Sequence, residues 1–415
     1  LLTIVAGNFA YLIPLFLKDH SWSESSFWVS QTFSMLVNPQ LIFSLATLYM
    51  VLLLMTTDFS ANKSRHYLLI PLIAISIGFK TYGWMIMSLL YAADLLSEIV
   101  FKKKFINLLV GVIYLLLALP FIYLITGFKS GSFFYHPLWY IDTMVEAPDR
   151  LNNIRWRFLL DHYRETKNFL RIIWLRTKEL LIFYLGNLGT RAIFIFLPLV
   201  SLKENYSKQQ KIIWLCLLGF IFTSVFPLLF LQRGTVWNSI QFWYYTLIFA
   251  NILAALAISG ILNHLKSPLK YIFLTIFALL TIPAFVKTMA GKANSFNAFP
   301  IAQFNLLANF KPSDKLLICP EDSLLFKSSL VNAYTEADVY LADEGQIALV
   351  EADLAVVSEL KAIFDQKDLV GLASLLDREQ INYILCTNKD YVEFIDQQYL
   401  TQKTELVNWS IYSLK

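Results

Sequence analysis

Apolar runs long enough to cross a bilayer alternate with polar connectors over the first 290 residues of this chain, and the connectors on one side are basic. Runs at 1–17, 39–56, 67–79, 82–100, 105–126, 181–202, 212–231, 243–262 and 271–290 predict nine membrane segments. The physical ground is length, since about 20 apolar residues in a helix match a hydrocarbon core of about 30 Å. Four connectors hold Lys63 and Arg65, Lys102 to Lys104, Lys203 with Lys208 and Lys211, and Lys266 with Lys270. Lys and Arg concentrate in cytoplasmic loops, so these four are expected inside. The loops at 18–38, 127–180 and 232–242 then face outward, as does everything after residue 290. Two stretches strain the scheme. The runs 67–79 and 82–100 meet at Lys80-Thr81-Tyr82-Gly83, a pattern that half-depth helices also give. The outer 127–180 loop is basic, but the charge rule weakens for long loops.

Beyond residue 290 the period changes. Short strands are expected at Lys315–Cys319, Val339–Ala342, Ile381–Cys386 and Trp409–Tyr412. Helices are expected at Asp353–Phe364, Val370–Asp377 and Asp390–Tyr399. Strands alternating with helices indicate a small α/β layer domain. The fold class is therefore an α-helical polytopic membrane protein, residues 1–290, followed by an extracytoplasmic α/β domain, residues 291–415.

Composition supports that division. The chain is 57% hydrophobic and 15% charged, well below the roughly 25% charge of a soluble domain. Its 34 basic and 30 acidic residues divide unevenly, 10 and 18 from Gly291 onward, leaving 24 and 12 before it. An acidic tail argues against nucleic acid as its partner. Three cysteines make no disulfide framework. Cys216 reads as packing. Cys319 and Cys386 each close a strand and are expected as buried thiols, with a bridge in an oxidising compartment as the alternative. The chain opens at Leu1-Leu2 inside an apolar run, as a fragment of a longer protein would.

Candidate chemistry lies in the outer loops. Arg150, Arg157, Arg164, Arg171 and Lys178 recur every seven residues. A heptad drifts only about 20° around a helix, so one continuous helix would carry all five on one side. Trp156, Leu160, Tyr163, Leu170 and Trp174 would populate another, the pattern of a helix in the headgroup plane. Arg157 and Arg164 could then hold a lipid phosphate, or form surface ion pairs with Asp161 and Glu165. Lys80 sits between apolar runs, where an ionisable group faces either a polar cavity or, by snorkelling, the headgroups. In the loop 232–241, Arg233 suits a phosphate, while Trp237, Asn238 and Gln241 suit a sugar with its hydroxyls and apolar ring face. Interfacial anchoring also accounts for Trp237. Asp19 or Glu24 could act as a general base, or be solvated loop residues beside His20. Residues 26–36 mix aromatic and polar side chains and read as another interfacial helix. Gly186-Asn187-Leu188-Gly189 reads as close helix packing. No phosphate loop, dinucleotide fingerprint or zinc motif occurs, so no cofactor is assigned, and a divalent metal would lack a recognisable ligand set.

Phe27-Trp28 with Asn38-Pro39, Trp237-Asn238 with Gln241-Phe242, and Val339-Tyr340-Leu341-Ala342-Asp343 followed by Ile381-Asn382-Tyr383-Ile384 carry a resemblance. With the many spans, long outer loops and terminal α/β domain, the chain resembles bacterial members of the GT-C superfamily of membrane glycosyltransferases. That superfamily includes protein O-mannosyltransferases and the aminoarabinose transferases of lipid A. The likeness covers essentially the whole chain in architecture, on short motifs. It implies a multi-pass protein of the bacterial cytoplasmic membrane that moves a sugar from a polyprenyl-phosphate donor to a cell-envelope glycan, lipid or protein. It also implies a catalytic Asp in the first outer loop. That loop is expected before Leu1, and if 18–38 is the loop, Asp19 is the candidate and Glu24 the reserve. Lys80, Arg157, Arg164 and Arg233 would bind donor phosphates. Other readings are a lipid-linked saccharide carrier or flippase and a non-catalytic membrane scaffold. Neither internal repeats nor intramembrane charge pairs, which transporters often show, stand out along the chain.

Overall fold

In a computed structural model of the chain, the residues described are 7–16, 24–29, 31, 34–35, 38–56, 64–103, 105–126, 133–198, 207–233, 236–296, 310–319, 338–340, 354–386, 391, 395, 400–406 and 409–414. They fall into two compact units, residues 1–231 with 237–294, and residues 232–236 with 295–415.

The first unit is helical. After short turns at Ala10–Leu12 and Ile13–Phe16 come α1 (Pro39–Thr56), α2 (Ser64–Ser76), α3 (Thr81–Lys102) and α4 (Ile106–Thr126). A short strand β1 (Phe133–Tyr135) precedes α5 (Trp139–Glu146), α6 (Ile154–Glu165) and α7 (Phe169–Leu188), which runs on as a 3-10 helix over Gly189–Phe196. Then follow α8 (Ser207–Leu229), β2 (Phe230–Gln232) beside β1, α9 (Gln241–His264), α10 (Ser267–Thr281) and α11 (Pro283–Phe296).

Among the described residues six helices are long and apolar enough to cross a membrane, at Pro39–Thr56, Thr81–Val100, Phe169–Phe196, Gln210–Leu229, Val236–His264 and Ser267–Ala290. This is a helical, multi-pass membrane protein. Two shorter apolar helices, Tyr67–Ser76 and Leu109–Pro120, cover two further expected spans. The 13-residue α2 is about 20 Å long, short of the hydrocarbon core, and contains Pro71. Its neighbour α3, at 22 residues, is long enough to cross, so the half-depth pattern does not extend to it. Of the expected segment 1–17, residues 1–6 and 17 lie outside the described residues, and 7–16 hold only the short turns named above. The expected span 181–202 begins 12 residues early, at Phe169. The run 271–290 is divided at Ile282, because Pro283 has no N–H to continue the helix ladder.

At the centre of this unit α9 buries Phe242, Trp243, Tyr245 and Phe249 completely. Arg191, 1% exposed, fastens several segments. Its Nε donates to Asn251 Oδ1 at 2.9 Å, Nη2 to Gln31 Oε1 at 2.8 Å, and Nη1 to the carbonyls of Gly7 and Leu188 at 3.3 Å. Asn187 Oδ1 accepts from the Val29 N–H at 3.1 Å, tying down the segment that contains Phe27 and Trp28. The Gly186 motif does serve close packing, since a Cβ at Gly186 would stand 2.7 Å from the Phe27 ring.

The second unit carries a five-stranded sheet in the order β4-β3-β5-β7-β6, from β3 (Lys315–Ile318), β4 (Asp338–Tyr340), β5 (Tyr383–Cys386), β6 (Leu400–Leu406) and β7 (Trp409–Leu414). β3 pairs in parallel with β4 and β5, Leu317 opposite Tyr340 and Ile384, while β7 runs antiparallel to β5 and β6. Helices α12 (Leu354–Asp365) and α13 (Leu369–Arg378) pack Leu360, Phe364, Leu372 and Leu375 onto it. Asp368 caps α13, its Oδ1 accepting from the N–H groups of Val370 and Gly371 at 3.1 and 3.0 Å. The polar run Leu400–Leu406 is a strand that alternation alone does not announce. Of the expected helix Asp390–Tyr399, only Tyr391 and Ile395 are described, both helical. Cys319 and Cys386 are bonded, with Cα atoms 5.1 Å apart, which corrects the expectation of two free thiols. Parallel pairing of β3 with β5 ends both strands at neighbouring positions, so the two side chains meet.

Candidate functional site

The site forms where α3 and α9 begin. After α2 the chain turns over Ile77–Phe79, and Lys80 takes an extended conformation as the N-cap of α3, its carbonyl accepting from the Trp84 N–H at 3.1 Å. Lys80 is half-buried, and desolvation pushes its pKa below the ordinary lysine value. Its Nζ lies 6.0 Å from the centroid of the Tyr82 ring. Among the described residues no carboxylate forms an ion pair with it.

Tyr82 leads into a group of tyrosines. The Tyr82 ring meets Phe242 at 5.0 Å, joining the first turn of α3 to the first turn of α9. Tyr245 OH lies 2.8 Å from Ser44 Oγ, and both crowd Gly83, where a Cβ would stand 2.0 Å from Ser44 Oγ and 2.6 Å from Tyr245 OH. Only glycine fits there. Ser34 Oγ donates to Tyr244 OH at 2.5 Å, and the Ile240 N–H donates to Tyr140 OH at 2.9 Å. Burial raises the Tyr140 pKa, opposed by hydrogen bonds with Ser239 and Ile240. Neutral hydroxyls therefore line the corner. The 3-10 turn Val236–Ile240 leads into α9, where Gln241 Nε2 donates to Asn238 Oδ1 at 3.1 Å and the Trp237 ring is exposed.

One helical turn past Lys80 a cavity of about 750 Å³ opens along α3. Trp84, Ser88, Tyr91, Leu95 and Ile99 line it at helical spacing, facing Gly111, Tyr114 and Ala118 of α4. Ser88 Oγ and Tyr114 OH lie 2.5 Å apart, so they satisfy each other and leave an apolar surface. Lys80, the N-cap of α3, precedes Trp84 by four residues and is not itself among the lining residues. The arrangement offers a cation and hydroxyls followed by room for a hydrocarbon chain.

The basic stripe is organised otherwise than its spacing predicts. Lys167 has φ +53° and Asn168 caps α7, its Oδ1 accepting from the Arg171 N–H at 3.3 Å, so the helix stops and restarts. Arg157 and Arg164 belong to α6, Arg171 and Lys178 to α7, and Arg150 to neither. Arg157 pairs with Glu146 and Asp161 at 3.1 Å, and Arg164 with Asp161 at 3.1 Å. Surface ion pairing thus describes both, and the single headgroup helix does not form. Arg150 lies 3.6 Å over the Trp28 ring and bonds to the Ser25 carbonyl. Arg176 bridges Asp142 and the buried Glu179.

Of the other expected residues, Asp19 and His20 lie outside the described residues. Glu24 opens the 3-10 turn Glu24–Phe27. Residues 26–36 form no continuous helix among those described. Arg233 is exposed and grouped with the second unit. Lys80 and the 237–241 turn are brought to one corner through Tyr82 on Phe242. Tyr140, Tyr244, Tyr245 and Ser44 join them, and only the Tyr244-Tyr245 pair following Gln241 hints at this in sequence. Among the described residues no group of three or more His, Cys, Asp or Glu side chains is arranged to hold a metal. No protein-family model, curated protein or solved structure matches the chain.

Proposed function

We propose that the chain transfers a sugar from a polyprenyl-phosphate carrier to an acceptor on the outer face of a bacterial cytoplasmic membrane, with the Lys80 corner receiving the donor phosphate. One observation carries this reading. The half-buried ammonium of Lys80 stands at the N-cap of α3, and from Trp84 onward the same helix lines the apolar cavity. A polyprenyl phosphate has its parts in that order, an anion joined to a long hydrocarbon. Lysine serves a phosphate as a compact point charge, and each methylene removed from water adds about 0.8 kcal/mol. Tyrosine hydroxyls, the Asn238 and Gln241 amides and the exposed Trp237 ring suit a sugar. Asp19 or Glu24 would take the acceptor proton. The bonded Cys319 and Cys386 support an oxidising, outward compartment for the second unit, in agreement with basic connectors inside.

The test is release of polyprenyl phosphate from a labelled polyprenyl-phosphate sugar by the full chain in proteoliposomes. Turnover that falls with Lys80→Gln is expected. Movement of the labelled lipid without release would favour the carrier, and neither activity with any donor would favour the scaffold. The carrier reading has one observation behind it. Lys211 Nζ lies 2.6 Å from Asp94 Oδ1, a charge pair joining α8 to α3 that the sequence pattern does not reveal.

A further inference from the structure

We propose that the corner between α6 and α7 is a bilayer-surface anchor that binds anionic lipid headgroups, apart from the donor corner. Lys178 Nζ lies 4.5 Å from the Trp156 ring centroid and the Arg171 guanidinium 5.5 Å from that of Tyr163, so the two helices form an antiparallel hairpin. Along α7, Leu170, Trp174 and Leu181 are 80%, 71% and 54% exposed and fall on one face by helical spacing. All three belong to Phe169–Phe196, a helix of 28 residues that exceeds the roughly 20 needed to cross the hydrocarbon, so its C-terminal part, with Leu181, faces lipid while its first turns reach past the core. The stripe from Leu181 back to Leu170 covers about 16 Å, with the exposed Thr177 as the polar residue on that face, reaching from the hydrocarbon toward the headgroups.

Charge completes the surface. Arg155, Lys167 and Arg171 are exposed and form no ion pair among the described residues, whereas Arg157 and Arg164 are already neutralised. An apolar stripe flanked by uncompensated cations fits an anionic bilayer surface better than a protein partner or a second copy, which would bring carboxylates to a cationic rim.

The test uses the full chain in nanodiscs of phosphatidylcholine with phosphatidylglycerol and a nitroxide at Leu170→Cys. Cys216 is buried and the other two cysteines are bonded, so the label reaches the new thiol. Val370→Cys is a matched reference, because Val370 is also 80% exposed but sits on the second unit. The label at 170 is expected to be open to oxygen and closed to a nickel chelate, with the reverse at 370. Nickel access at both positions would overturn the anchor, and so would shielding of 170 from both relaxers, the sign of a protein cover. In the combined variant Arg155→Gln, Lys167→Gln and Arg171→Gln, the preference for spin-labelled phosphatidylglycerol over phosphatidylcholine is expected to fall at least threefold. An unchanged preference would overturn the headgroup assignment.

Discussion

Cations in two regions of the membrane unit meet opposite conditions. Lys80 is half-buried at the N-cap of α3, one turn before the apolar cavity begins, and has no carboxylate partner among the described residues. Arg157 and Arg164 are more exposed but share Asp161, and Arg157 also holds Glu146. Availability of a charge, and not the number of charges in a segment, decides where an anion can bind. Burial strengthens an interaction with a phosphate because little water competes, while an exposed and paired arginine must first give up its carboxylate.

The largest expected effect sets the two regions against each other. Lys80→Gln should lower kcat/KM for a polyprenyl-phosphate sugar roughly 10- to 100-fold, the range of one hydrogen bond to a charged group. The double variant Arg157→Gln with Arg164→Gln should stay within about twofold. Equal losses in the same proteoliposomes would erase the distinction. Next comes Gly83→Ala. Its methyl must displace Ser44 Oγ and Tyr245 OH at the foot of α3, and such overpacking costs roughly 1–3 kcal/mol. Thermal unfolding in detergent should show that loss, and an unchanged midpoint would contradict the packing that holds Lys80 in place.

A pH series sharpens the contrast further. Burial lowers the Lys80 pKa, so its proton leaves at a lower pH than that of an ordinary lysine, about 10.4. On the proposed reading, donor binding needs the charged form. Affinity should therefore fall severalfold as pH rises through the lowered value, and Lys80→Arg should remove that fall because a guanidinium stays charged. A wild-type profile as flat as that of Lys80→Arg would speak against the ammonium. The smallest effect belongs to Arg164→Gln, which should change stability by less than about 1 kcal/mol in the same melting assay, since its pair with Asp161 is exposed.

Run length makes α1 legible at its full bounds from sequence, and α3 and α9 almost so, because crossing a bilayer imposes about 20 apolar residues wherever it occurs. The start of α7 is not legible. Arg171, Arg176, Lys178 and Glu179 lower the hydropathy of its first half, and their partners, Asp142 on α5 and the rings of Trp156 and Tyr163 on α6, are distant in sequence. Heptad spacing misleads in the same region, because the positive φ at Lys167 ends one helix before the repeat is complete. Strand β6 escapes notice because Thr401-Gln402-Lys403-Thr404-Glu405 offers no apolar face, and pairing with β7 makes it a strand. Lys80 can be picked out from its surroundings alone. Tyr140, Tyr244 and Ser44 cannot, since they come from three separate segments and meet only on folding.

The most direct measurement compares the affinity of the full chain for polyprenyl phosphate and for the uncharged polyprenol, in wild type, Lys80→Gln and Gly111→Trp. Gly111 lines the cavity and an alanine there would only touch Leu95 at 3.8 Å, so the indole in its place should fill space meant for the chain. Wild type should prefer the phosphate at least tenfold, Lys80→Gln should lose that preference while still binding polyprenol, and Gly111→Trp should weaken both ligands. An undiminished preference for the phosphate in Lys80→Gln, or unaltered binding by Gly111→Trp, would contradict a lipid whose phosphate is held by Lys80 and whose chain lies in this cavity.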